Sequence, residues 1–255
     1  MAIPDEIGRI LLPVYHNTLY KAQKYRWDYY QKEYYKYEQK LEDIRNIHED
    51  KKCFIWGGGP SLKKTNISLL KDEINFGTNS LATAEFADMF DFFCVYDGGV
   101  WNKYQDSIKK LTSTVFLGDY AGKRYLANRE LSSNKFIQEP IIIKKRAQTF
   151  DNAKDLDIIK GAYSGASVVG FAIQLAHHMG FKKIYLIGCD TDYTNGYWHT
   201  KNAHADAFFG SFVHDVARLM EQYKLLKNII DCQIINCTVG GKLEVFKRKK
   251  LEDVV

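Results

Sequence analysis

From residue 52 onward the chain alternates short apolar runs with longer segments whose apolar residues recur every three or four positions. Brief apolar runs bounded by glycine or polar residues are what strands buried on both faces require, and amphipathic stretches between them supply crossover helices. The pattern predicts strands over residues 53–56, 74–77, 92–96, 114–117, 183–187 and 233–235, and helices over 81–89, 165–179 and 212–228. Alternation of this kind predicts a Rossmann-like α/β fold, a mainly parallel twisted sheet with helices on both faces. The helix from Gly165 carries Gly165, Ala166, Gly170, Ala172 and Ala176, so its backbone is expected close to the sheet. Residues 119–160 are the least periodic stretch, punctuated by Gly122, Ser132, Ser133 and Pro140, and read as an insertion or a lid over the site.

The opening third reads differently. Residues 15–50 hold strong helix formers without Gly or Pro, and aromatics repeat at Tyr20, Trp27, Tyr30, Tyr34 and Tyr37. This predicts a helical extension over residues 1–50 ahead of a single nucleotide-binding catalytic domain over residues 51–255. Such an extension packs on its own domain or on a second copy in a homo-oligomer, or else meets a membrane surface or an acceptor.

Composition narrows the class. At 255 residues and 45% hydrophobic content the chain can bury a full core, which argues against disorder. The apolar stretch from Ile10 to Val14 is too short, and its flanks with Asp5, Glu6 and Arg9 too charged, for a signal core or a membrane span, so a cytoplasmic location is expected. Five cysteines without a CxxC pair predict buried reduced thiols rather than a disulfide framework or zinc ribbon. The net charge of +5 suits an anionic small ligand and is too small to argue for nucleic acid. The run Lys247-Arg248-Lys249-Lys250 reads as a solvated tail, with peripheral docking at the inner face of a membrane as the alternative.

Three segments carry candidate chemistry. Phe54-Ile55-Trp56 runs directly into Gly57-Gly58-Gly59-Pro60-Ser61. Three glycines after a buried strand turn the chain sharply and bring bare N–H groups towards a ligand, and a helix start beyond them would aim its positive end at phosphate. A tight turn needs glycine whether or not anything binds, and the motif is neither GxGxxG nor a Walker A loop. The next strands end in Gly77-Thr78-Asn79 and Tyr96-Asp97-Gly98, which places Asn79 and Asp97 at the ligand-collecting edge, unless each is a cap or turn residue. The third segment opens from Ile187-Gly188-Cys189 into Asp190-Thr191-Asp192, then Tyr193 and Tyr197. The acids could hold a divalent metal, and the phenols could donate to a departing phosphate without one. His204, ahead of His199 and His214, is the candidate general base, and Ser164 could cap the small-residue helix or meet the ligand.

The series FIWGGGPSL, FGTN, YDGG, YSGASVVGFAIQLAHHMGFKKIYLIGCD and INCTVGGKLEVF resembles the superfamily that joins archaeal 6-hydroxymethylpterin diphosphokinases to proteins of bacterial surface-polysaccharide clusters. It is also similar, over roughly residues 51–255, to the bacterial sialyltransferases of glycosyltransferase family 42. The sialyltransferase likeness implies a CMP-activated acidic sugar as donor and a glycan as acceptor. It places the glycine turn and Asn79 near the nucleotide, Tyr193 and Tyr197 on the leaving phosphate, and His204 on the acceptor, with no metal required. The diphosphokinase likeness implies ATP and Mg²⁺, with Asp97, Asp190 or Asp192 on the metal. The leading expectation is a nucleotide-sugar-dependent glycosyltransferase of surface glycan synthesis, its alternatives a diphosphokinase or a non-catalytic nucleotide-binding scaffold.

Overall fold

Four consecutive residues with no exposed surface, Cys53 to Trp56, lie at the centre of the protein and explain its architecture. A strand that shows water neither face must be paired on both edges and covered on both sides. The computed structural model describes residues 34–119, 136–146, 149–163, 165, 167–192 and 216–255. Within them β1 (Lys52–Trp56), β2 (Asn75–Thr78), β3 (Phe92–Val95), β4 (Thr114–Asp119), β5 (Ile141–Lys144), β6 (Lys183–Ile187), β7 (Gln233–Asn236) and β8 (Lys247–Arg248) form one sheet. Its order is β5-β4-β3-β2-β1-β6-β7-β8, and every pairing is parallel. The Rossmann-like α/β fold expected from the alternation is the fold observed.

The described helices are α1 (residues 34–43), α2 (Gly98–Ile108), α3 (Val168–His178) and α4 (Val216–Ile229). Given right-handed crossovers, the rule for parallel strands, the strand order puts α2 on one face and α3 with α4 on the other. Helix α3 packs across β1, β2 and β3. Phe171 to Leu175 of this helix includes Gln174, a buried polar side chain satisfied by the backbone of Tyr163 on both sides: Oε1 accepts from its N–H at 2.9 Å and Nε2 donates to its carbonyl at 3.2 Å. Ser167, not Ser164, caps α3, accepting from Val169 N–H at 3.0 Å and Gly170 N–H at 3.4 Å. The helix begins three residues later than the sequence pattern implied, and Ser164 lies outside the described residues. Ser167 also meets the Tyr223 hydroxyl of α4 at 2.9 Å.

Several expectations are corrected. The stretch read as an insertion or lid contributes β5, whose Ile141, Ile142 and Ile143 are buried beside β4. Residues 81–89 form two short 3₁₀ turns, Asn79–Thr83 and Ala87–Met89, instead of one helix. The connection between β2 and β3 winds in these tighter turns instead of one crossover helix. The basic C-terminal run is not a free tail: Lys247 and Arg248 are strand β8, and Leu251 anchors the turn behind them at 4% exposure.

Tyr34, Tyr37 and Leu41 lie on one face of α1 and are buried in the same core as the sheet. The chain then clasps the end of α3, with Asn46 N–H donating to the His178 carbonyl at 3.1 Å and His48 N–H to the Met179 carbonyl at 2.9 Å. All five cysteines are free, four of them buried. Among the described residues no helix is long and apolar enough to cross a membrane.

Candidate active site

The chain leaves β1 towards β2 on one side and returns to β1 through β6 on the other, so the sheet changes winding direction between β1 and β6. In open parallel sheets this reversal opens a crevice at the carboxyl ends, where ligands collect. Gly57-Gly58-Gly59 emerges there from β1 and Gly188-Cys189-Asp190 from β6.

The two turns close on each other. Gly57 N–H donates to the Ile187 carbonyl and Gly59 N–H to the Gly188 carbonyl, each at 2.8 Å. A Cβ on Gly57 would lie 2.5 Å from the Gly188 oxygen, and one on Gly188 would lie 2.3 Å from the Gly57 oxygen. Two backbones in direct contact therefore require these glycines. Gly59 has a different neighbour, since a Cβ there would lie 1.9 Å from Asp190 Oδ2.

Asp190 is the anion that the turn receives. Ser61 N–H donates to its Oδ1 at 3.2 Å and the Ser61 hydroxyl to its Oδ2 at 2.6 Å. Both residues are buried, and desolvation holds the Asp190 carboxyl above its ordinary range while the two Ser61 bonds pull it down. The expected phosphate cradle is thus corrected: the amides of Gly57, Gly59 and Ser61 have internal acceptors. Among the described residues none accepts from Gly58 N–H. The turn leads into a five-residue 3₁₀ helix, Pro60–Lys64, which brings no helix dipole to the site.

Asn79 lies at the end of β2, one strand spacing of about 4.8 Å from β1. Its backbone is left-handed at φ 50°, and its Oδ1 is buried without a hydrogen-bond partner. Thr191, beyond β6, is also left-handed at φ 50°. Left-handed backbone is uncommon outside glycine and anomalous for a β-branched residue, and such strain concentrates at functional sites. Thr191 is held by its own hydroxyl, which donates to the Asp190 carbonyl at 2.7 Å, and by the loop after β7, whose Lys242 N–H donates to the same oxygen at 2.7 Å.

Asp97 caps α2, its Oδ1 accepting from Gly99 N–H at 2.7 Å and Val100 N–H at 3.3 Å. The cap reading of this residue is the one its geometry supports. Asp192 pairs with Lys242 at 3.1 Å. The three acids do not compose one metal site, because Asp97 and Asp190 leave strands three spacings apart, roughly 14 Å, and each carboxylate is already engaged. Among the described residues no group of three or more His, Cys, Asp or Glu side chains could hold a metal ion.

The sequence reading missed Lys145. Directly after β5, it is 7% exposed, and its ammonium donates to the Tyr96 carbonyl and rests 3.9 Å above the Tyr96 ring. The stem passes Gly118, where a Cβ would lie 2.8 Å from the lysine Cε. The only sequence hint is the Ile-Ile-Ile run ahead of Lys144-Lys145-Arg146, which marks a strand entering the carboxyl edge. Tyr193, Tyr197 and His204, with His199 and His214, lie outside the described residues.

The match with known proteins falls on this region: the family described as 6-hydroxymethylpterin diphosphokinase MptE-like matches residues 29–196. The chain belongs to the MptE-like family. The matched stretch contains both glycine turns, Asn79, Asp97 and Lys145, so the MptE-like region comprises β1 to β6, while β7 and β8 lie beyond it. No curated protein matches the chain. Among solved structures the chain is similar to the sialyltransferase CstII from Campylobacter jejuni, solved in complex with a substrate analogue, CMP-3FNeuAc. The identity is 17%, with 73% of this chain and 80% of that chain covered, at a TM-score of 0.45.

Proposed function

We propose that the protein is a transferase that holds a nucleotide at the carboxyl rim beside β1 and β2, and that it transfers a CMP-activated nonulosonic sugar to a glycan acceptor. The observation that carries the reading is Asn79. A buried amide oxygen without a donor, on a strained backbone, is costly unless a ligand supplies the missing hydrogen. Ribose hydroxyls and the amino group of a base are donors of the right kind. Gly58 adds an amide on the same rim.

In this reading the acceptor hydroxyl oxygen attacks the anomeric carbon, the bond from that carbon to the phosphate oxygen breaks, and CMP leaves. His204 takes the hydroxyl proton, and Tyr193 and Tyr197 donate hydrogen bonds to the departing phosphate. Asp190 acts in support, fixing Ser61 and the glycine turn.

The family match favours a second reading, diphosphoryl transfer from ATP. That chemistry calls for Mg²⁺ held by carboxylates, and Asp97, Asp190 and Asp192 are engaged with α2, Ser61 and Lys242. The deciding experiment is a thermal-shift titration. CMP or a CMP-sugar is expected to raise the melting temperature without metal. Silence with every CMP compound, alongside a clear shift with Mg-ATP, would replace the first reading with the second.

A further inference from the structure

A second concave site lies at the carboxyl ends of β7 and β8, beside the crevice between β1 and β6. It is a cavity of about 390 Å³, bounded by the end of the 3₁₀ helix after β1, the loop after β7 and the turn after β8. That volume is in the range of small-molecule sites. Lys64, Arg248, Lys249 and Lys250 line it, against one acid, Glu252.

The walls are built rather than draped. The Arg248 guanidinium gathers three backbone carbonyls, those of Thr238 and Gly240 with one Nη and that of Leu243 with the other at 3.3 Å. Gly240 and Gly241 are both left-handed, at φ 71° and 76°, which lets the loop fold back onto that cluster. Thr238 ties the loop to the β6 turn by accepting from Cys189 N–H at 3.0 Å. Lys249 N–H donates to the Asn236 carbonyl at 3.1 Å, and buried Leu251 pins the turn beyond it. The lysines therefore project from fixed backbone. Cys237 also lines the cavity, and burial pushes its thiol up to about 11.

We propose that this cavity binds the phosphate or diphosphate group of a ligand, through Lys64, Lys249 and Lys250 with Arg248 behind them. Ammonium groups around a concave surface focus positive potential onto a compact anion, and neutral Thr238 and Asn66 at the wall add donors without opposing charge. The inference goes beyond the transferase reading and does not depend on it. The phosphate could belong to a soluble small molecule or to a lipid headgroup.

The test is calorimetric titration of the full chain with inorganic pyrophosphate, compared with a Lys249→Glu/Lys250→Glu double variant. All three lysine side chains reach solvent, so folding should survive, which the melting temperature checks. The expected result is saturable binding that weakens with salt and falls about tenfold or more in the double variant, with CMP affinity unchanged. Lys249→Arg should retain it. Absence of pyrophosphate binding, or equal affinity in the double variant, overturns the proposal. Failure of CMP binding alone would touch only the transferase reading. Flotation with phosphatidic acid vesicles against phosphatidylcholine vesicles separates the sources: charge-reversal-sensitive flotation assigns a headgroup, and pyrophosphate binding without flotation assigns a soluble phosphate.

Discussion

Replacing Ser61 by alanine isolates the contact on which the glycine turn depends. The change deletes a hydroxyl that donates at 2.6 Å to a buried carboxylate and leaves only the backbone bond at 3.2 Å. A hydrogen bond to a charged group is worth about 1.5–3 kcal/mol, and the carboxylate left short of donors cannot turn to water because Asp190 is buried. The expected loss is about 2 kcal/mol at pH 7, read as a fall in the urea midpoint at constant slope. The loss should also depend on pH. Asp190 in the folded protein titrates above its ordinary value of 3.8, so the folded state binds this proton more tightly than the unfolded state. Its contribution to stability is present below 3.8 and is lost as pH rises through the folded value. Ser61 is the largest influence holding that value down, so in Ser61→Ala it rises further and the pH-linked loss extends further upward. The variant should therefore sit closest to the wild type near pH 4 and separate from it as pH rises. A destabilisation under about 0.5 kcal/mol, or one equal at pH 4 and pH 7, would refute the account of Asp190 as the turn's internal anion.

Other substitutions probe the remaining links. Gly59→Ala places a methyl 1.9 Å from Asp190 Oδ2 and 2.6 Å from the Gly188 oxygen, and should cost about 2–4 kcal/mol by thermal or urea melting. Asn79→Gly relieves a left-handed backbone and removes an unsatisfied oxygen, so it should hold or raise stability by up to about 1 kcal/mol while abolishing the CMP-induced thermal shift. A large drop in melting temperature would instead mark Asn79 as structural. Asn75→Ala strips partners from the Trp56 indole N–H and from the Leu70 and Glu73 carbonyls, all within 2.9 Å, and should lower the unfolding free energy by about 2–4 kcal/mol with ligand affinity in the folded fraction unchanged.

Burial on both faces writes itself into a sequence as continuous apolar runs, which is why the six strands placed by pattern, from residues 53–56 to 233–235, all exist with ends displaced by two residues at most. The parallel sheet arises from the same periodicity. Edge strands β5 and β8 were harder to see, since an isoleucine triplet before a basic run and a two-residue strand among lysines carry little periodic signal. Gly57, Asn79 and Asp190 could be marked as special from the chain alone, because glycine and polar residues directly after apolar strands must lie at the carboxyl rim. Their partners could not. That Gly57 faces Gly188, that Asp190 turns inward onto Ser61, and that Asp97 caps α2 depend on which strands become neighbours, and β1 pairs with β6 from a distant part of the chain, Phe54 opposite Tyr185. Local pattern determines which segments must be buried. The close approach of backbones, and the polar atoms left with or without a partner, are properties of the assembled sheet alone.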